Sequence, residues 1–211
     1  MLAVAYRTII RPKDGKDFAK RDRRARRKMQ SVAADSLLRD LLEREAGDHA
    51  ASWQLVANAD CKPILVTPDG LSTIDVSMSH SGMRVAAAIT DVGAIGVDLE
   101  YRTSRRSISE IAAYAFGPQE GQVVEAGGLA AFYRIWTLRE ALAKAIGIGF
   151  PMLADRRDYF AEAPTSGEWE RVIDGRRWNF FASEIDSDYA IAVAIAPRAS
   201  MPLALTIRKF N

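Results

Sequence analysis

Two acidic residues, Asp98 and Glu100, close the apolar run AIGVDLE. In a strand, side chains at i and i+2 leave from one face, so both carboxylates point the same way. Like charges so placed repel unless solvent or a cation separates them. An all-oxygen donor set suits Mg2+ and not Zn2+, which takes His and Cys; the chain has only two histidines and one cysteine. The pair fits either a divalent-cation site or two solvated carboxylates at a strand edge. A second group lies in IWTLREALAKAIG, with Trp136, Arg139, Glu140 and Lys144. Glu140 and Lys144 are one helical turn apart: either an ordinary ion pair worth about 0.2–0.5 kcal/mol, or a carboxylate that binds metal or takes a proton beside a cation that meets a phosphate. A third group, Ser79-His80-Ser81-Gly82, reads as a loop whose hydroxyls and imidazole suit a phosphate, or as an unremarkable polar loop.

These residues need elements to hold them. Helical spacing predicts a helix over 18–46, ended by Gly47, and another over 129–146, ended by Gly147. Ile108–Ala115 is a short helix stopped by Gly117-Pro118. Val85–Thr90 (VAAAIT) and Ala94–Leu99 (AIGVDL) read as buried strands joined by a turn. Arg171–Ile173, Trp178–Ser183 and Tyr189–Ala196 read as strands of a second sheet, with a turn at Asp174-Gly175. Leu38 and Leu142, and Val85 and Ile191, are spaced by about 105 positions. Two units, each with a helix first and a small-residue strand last, suggest a duplication with a ligand cleft between halves.

Composition sets the class. The 211 residues are 48% hydrophobic and 27% charged, an ordinary globular balance. A single cysteine, Cys61, excludes an intrachain disulfide framework and fits a reducing compartment. No apolar run approaches a membrane span, and Arg7 interrupts the apolar N-terminus, so the expectation is a cytoplasmic protein without membrane contact. Net charge is +2, but residues 1–50 hold 13 Lys/Arg against 8 Asp/Glu. The excess lies in Lys20–Lys28 (KRDRRARRK), a solvated helix face or a phosphate site. Without interleaved aromatics, and with an acidic remainder, the chain does not read as a nucleic-acid binder. There is no P-loop, dinucleotide fingerprint or hydrolase elbow.

In order, Ser79-His80-Ser81, then Gly96-Val97-Asp98-Leu99-Glu100, then Trp136-x-x-Arg139-Glu140-Ala141-x-x-Lys144, the sequence resembles the 4'-phosphopantetheinyl transferases, most closely the larger single-chain, surfactin-synthetase (Sfp-type) branch. The resemblance covers most of residues 18–196. Two departures stand out: Arg139 where the family helix has Lys, and Cys61-Lys62-Pro63 where the family turn is Gly-Lys-Pro. The resemblance implies an α+β fold of two similar α/β halves about a pseudo-twofold axis. Residues 1–100 would form the coenzyme A side and 101–211 the half with the catalytic helix. It implies transfer of the phosphopantetheine arm of coenzyme A to a serine of an apo acyl or peptidyl carrier protein, releasing 3',5'-ADP. Asp98, Glu100 and Glu140 would hold Mg2+; Glu140, Lys144 and Asp98 would be catalytic. Lys20, Arg23, Lys62, Pro63, Ser79, His80 and Lys144 would bind coenzyme A. Two halves in one chain make a monomer sufficient. The alternative reading is a non-catalytic coenzyme A or nucleotide-binding module on the same fold.

Overall fold

The structure, a computed structural model, describes residues 1–9, 23–56, 62–104, 107–148, 155–199 and 205–210. In chain order these form β1 (Leu2–Thr8), α1 (Arg23–Ala46), a 3-10 turn (Asp48–Ser52), β2 (Gln54–Val56), β3 (Ile64–Thr67), β4 (Gly70–Leu71), β5 (Asp75–Ser81), β6 (Arg84–Thr90) and β7 (Gly93–Tyr101). There follow α2 (Ile108–Ala115), α3 (Pro118–Ile146), β8 (Gly167–Ile173), β9 (Arg176–Ile185), β10 (Tyr189–Pro197) and β11 (Ile207–Phe210). The architecture is α+β, as expected. One four-stranded sheet has the order β11-β1-β6-β5, the other β7-β10-β9-β8, and β2-β3-β4 form a small third sheet.

Period-2 burial explains the layering. In β6, Val85, Ala87 and Ile89 pack under Leu37, Leu38 and Leu41 of α1, while Ala86 and Ala88 turn to the other side. There they meet Ile95, Val97 and Leu99 of β7 and Ile191, Val193 and Ile195 of β10. The opposite face of β10, Ala190, Ala192, Ala194 and Ala196, packs against α3. Both central strands are therefore buried on both faces, which is why they read as continuous apolar runs. The layers run α1, first sheet, second sheet, α3.

Two sets of elements share one chain order: a strand, a long helix, then a hairpin whose last strand pairs back onto the first strand. β1, α1 and β5–β6 make the first set; β7, α3 and β9–β10 make the second. β7, which a division at residue 100 places with the first half, pairs antiparallel to β10 over its whole length and is an edge of the second sheet.

Several sequence expectations are corrected. Ser79-His80-Ser81 is not a loop: it ends β5, and its hydroxyls are taken up by β7. The apolar N-terminus is a strand, pairing with β6 and β11. α3 is two helical segments that meet at the non-helical Gly128 (φ 58°, ψ −139°): the second is the helix predicted over 129–146, and the first, from Pro118, was not predicted. Val32 lies on the exposed face of α1, whose buried stripe is Gln30, Ala34, Leu37, Leu38, Leu41 and Leu42. The predicted residues 18–22 of that helix, with Lys20, and also Cys61, lie outside the described residues. Gly147 ends α3 in the left-handed conformation (φ 83°), as predicted.

α3 lies unusually close to β7. A Cβ on Gly96 would stand 1.9 Å from the carbonyl oxygen of Ala141 and 2.6 Å from the amide nitrogen of Ala145, both helix backbone. Neither can yield without moving the helix. Gly96→Ala is expected to lower stability by roughly 3 kcal/mol or more, beyond the 1–3 kcal/mol typical of overpacking, measured by urea denaturation.

Candidate functional site

The face of β7 turned to α3 carries Gly96, Asp98 and Glu100, and Gly96 lets the helix come near enough for its side chains to reach that face. Lys144 does so: its Nζ donates to Asp98 Oδ1 at 2.7 Å and to the Val97 carbonyl at 3.2 Å. Asp98 is 4% exposed, and its Oδ1 also accepts from Ser79 Oγ at 2.8 Å. Its other oxygen, Oδ2, is buried without a hydrogen-bond partner among the described residues. Glu100, half-buried, accepts from Ser81 Oγ at 2.8 Å through Oε2. Glu140 sits one turn before Lys144 on the same face of α3, half-buried.

A ladder of side chains on β5 sets the height of this face. Asp75, Ser77, Ser79 and Ser81 accept from the amides of Ile95, Val97, Leu99 and Tyr101 at 2.7, 3.0, 3.2 and 3.0 Å. The two strands run parallel at a constant offset, and the rungs satisfy amides of β7 that β10 does not.

Strand alternation puts His80 on the opposite face of β5, the face that Val76 and Met78 turn toward α1. Its imidazole is held below the ordinary histidine value, first by partial desolvation and then by the positive charges of Lys144 and Arg27; its own backbone hydrogen bond and Asp98 oppose this. Arg27, exposed near the start of α1, and Lys144 of α3 thus both act on His80.

Lys62 stands apart. Its ammonium donates to the Asp75 carboxylate and to the Ile95 carbonyl (2.6 Å). Burial lowers its pKa, and Asp75 works the other way. With Pro63 it borders a cavity of about 430 Å³ at the start of β7, also lined by Ala94, Arg176 and Arg198. The predicted residues thus form two groups along one strand: Ser79, Asp98, Glu100 and Lys144 at one end, Lys62 and Pro63 at the other.

A cation would find oxygen donors here, and the bare, buried Oδ2 of Asp98 is the feature that fits one. Among the described residues, however, no three His, Cys, Asp or Glu side chains are gathered closely enough to hold a metal ion. Sequence reasoning missed Asp75, and named Ser81 and Arg27 only as members of the Ser79-His80-Ser81 motif and the Lys20–Lys28 run, without roles of their own. The alternation Asp75-x-Ser77-x-Ser79-x-Ser81 was the available signal for the first two.

The model of the 4'-phosphopantetheinyl transferase superfamily matches residues 94–194, a span that contains β7 except Gly93, both carboxylates of its helix-facing side and all of α3. Over that span, just under half of its length, the chain is similar to this superfamily. It is 28% identical to a phosphopantetheinyl transferase of Thraustochytrium over 81% of this chain and 65% of that one. It is 27% identical to the 4'-phosphopantetheinyl transferase HetI of Nostoc, covering 78% and 70% of the two chains. A rat L-aminoadipate-semialdehyde dehydrogenase-phosphopantetheinyl transferase is 28% identical over 81% of this chain and 62% of its own. The chain thus spans about two thirds of the length of these relatives. Among the described residues no helix is long and apolar enough to cross a membrane.

Arg139, the departure from the superfamily's helix motif, faces away from Asp98. It is fully buried, with Nε and Nη2 on Glu120 Oε2 at 2.9 and 2.5 Å and further bonds to the carbonyls of Asp155 and Arg157. Glu120 Oε1 accepts from the amides of Tyr159 and Phe160 at 3.0 and 2.8 Å. The pair clamps the segment before β8 onto α3. Arg139→Ala strands a buried carboxylate and is expected to cost about 3–5 kcal/mol of stability, read by urea denaturation.

Proposed function

We propose that the chain transfers the 4'-phosphopantetheine arm of coenzyme A to a serine hydroxyl of an apo acyl or peptidyl carrier protein, as a cytoplasmic monomer of the larger, single-chain branch. The observation that carries this is the half-satisfied carboxylate of Asp98, buried beside Lys144 within the segment that the superfamily model matches. Residues 1–100 and 101–211 are taken as halves about a pseudo-twofold axis, with β7 at the seam.

Asp98, Glu100 and Glu140, which do not form a ready-made metal cluster among the described residues, would hold Mg2+ only together with the substrate phosphates, and the ion would neutralise charge on the pyrophosphate. Glu140 accepts the proton of the carrier serine as its oxygen attacks the β-phosphorus. The bond from that phosphorus to the bridging oxygen breaks, and 3',5'-ADP leaves. Lys144, which balances Asp98 in the free protein, supplies the counter-charge to the leaving phosphate. Lys20, Arg23 and His80 hold the 3'-phosphate, and Lys62 and Pro63 border the adenine. Ser79 shares the coenzyme A side of the site. The basic run thereby has an anionic small-molecule ligand and needs no nucleic acid.

The test is incubation of the purified protein with coenzyme A, Mg2+ and a panel of apo-carriers, read by mass for the added arm. Asp98→Ala, Glu140→Gln and Lys144→Ala are each expected to lower single-turnover transfer by roughly 100-fold or more, the scale of lost transition-state charge stabilisation. Near-normal transfer in all three would leave these residues structural. Glu140→Gln keeps its shape and should retain coenzyme A affinity by calorimetry.

His80 and Arg23 should distinguish coenzyme A from dephospho-coenzyme A. Each alanine variant is expected to lose about 1.5–3 kcal/mol with the former and much less with the latter, measured by calorimetry. His80 is neutral in the free protein at pH 7 because its pKa is depressed. A bound phosphate raises it, so binding takes up a proton and coenzyme A affinity rises as pH falls through neutrality, levelling off only below about 6.5, His80's ordinary value. A pH-independent affinity would remove His80 from the phosphate site.

A further inference from the structure

Two rungs of the β5 ladder differ from the others. Ser79 Oγ accepts the Leu99 amide and spends its own proton on Asp98 Oδ1. Ser81 Oγ accepts the Tyr101 amide and spends its proton on Glu100 Oε2. Each hydroxyl is thus tied at once to the β7 backbone and to the carboxylate one residue earlier in β7. A hydroxyl has one proton, so accepting the amide and donating to the carboxylate fixes its rotor, and the carboxylate's direction with it. Ser77 Oγ accepts the Val97 amide at 3.0 Å in the same register but reaches no carboxylate among the described residues, because the residue it would meet is Gly96. β5 therefore contains its own internal comparison: three serines with one structural task, two of them with a second.

We infer that Ser79 and Ser81 are positioning residues that aim Asp98 and Glu100 as cation ligands, an inference that rests on the transfer reaction proposed above. Partners that orient a ligating carboxylate commonly change metal affinity 10- to 100-fold when removed. Ser79 then serves the site through Asp98, and not only through contact with coenzyme A. Ser81, named in the Ser79-His80-Ser81 motif without a role of its own, joins the functional set.

The experiment measures Mn2+, standing in for Mg2+, by electron paramagnetic resonance titration of the protein with coenzyme A present. Transfer is followed in parallel. Ser79→Ala and Ser81→Ala are expected to weaken Mn2+ binding about ten-fold or more. Ser77→Ala, which loses the same amide bond, should change it by less than about two-fold while lowering thermal stability comparably. Ser81→Thr and Ser81→Val form a second comparison, alike in shape and different only in the hydroxyl, which holds even if Ser79→Ala fails to fold. Thr should keep near-wild-type Mn2+ affinity and Val should lose it. Equal affinity in Thr and Val, or equal losses in all three serine-to-alanine variants, would overturn the inference while a wild type that binds Mn2+ and transfers leaves the reaction standing. A wild type that neither binds Mn2+ nor transfers would overturn both.

Discussion

The structure depends on how β5 and β7, the edge strands of two different sheets, are joined. They run side by side and parallel, yet no backbone ladder links them. Their union consists of side chains from β5 reaching backbone amides of β7 at every second residue from Ile95 to Tyr101. Four amides left bare in the seam would each carry the penalty of an unmade buried hydrogen bond, about 1–3 kcal/mol. Hydroxyl and carboxylate acceptors remove that penalty and also fix the register of one half on the other. Lys62 closes the far end of the ladder by holding Asp75 and the Ile95 carbonyl together. At the near end, Tyr189 of β10 accepts the Met83 amide, and Gln30 of α1 donates to the Gly82 carbonyl. The seam is thereby polar along its edge and apolar behind, where Val4, Ala86 and Ala88 meet the isoleucines and valines of the second sheet.

Given that seam, small residues decide where α3 lies. Gly96 and the alanines of β10 present almost no side-chain volume to the helix, and the backbones approach until a single Cβ would collide. Only at that separation does a lysine four residues after Glu140 reach Asp98. The absence of a side chain at 96 and the presence of a carboxylate at 98 are thus parts of one arrangement. The first sets the helix height, and the second is within reach because of it.

Much of this was legible in the sequence. The double-faced burial of VAAAIT and AIAVAIA, the long helices and the glycine that ends α3 all follow from local periodicity and turn chemistry. Asp98, Glu140 and Lys144 could be named as candidates because their spacing along single elements carries the chemistry. β5 was not legible as a strand. Serine has little strand preference, and Ser-His-Ser-Gly reads locally as a turn. What makes it a strand is the row of amides on β7, a partner twenty residues away. The first part of α3 was hidden for a related reason. Gly127-Gly128 marks a break, and the helix before it is held by Glu120 and Val124, whose partners lie elsewhere in the fold. Arg139, adjacent to Glu140 in sequence, leaves the helix in a different direction and pairs with Glu120 instead.

Two acid–base pairs hang from α3, and their difference is informative. Glu120 and Arg139 are both fully buried and fully used: each carboxylate oxygen has two donors, and the guanidinium fork matches one of them bidentately. Such a pair has nothing left to offer a ligand, and arginine's planar fork is what closes it. Asp98 and Lys144 are the reverse. Lysine brings a compact charge to one oxygen and leaves the other bare inside the protein. A bare carboxylate oxygen at that depth costs stability, and the ladder that could have supplied it with a donor supplies only its neighbour, Oδ1. The fold satisfies its structural carboxylate completely and leaves this one incomplete, on the face where Glu100 and Glu140 bring more oxygen donors and no bulky side chain at position 96 stands in the way. Lys144 holds the charge of that incomplete carboxylate, and the open oxygen is the feature on which the proposed cation site rests.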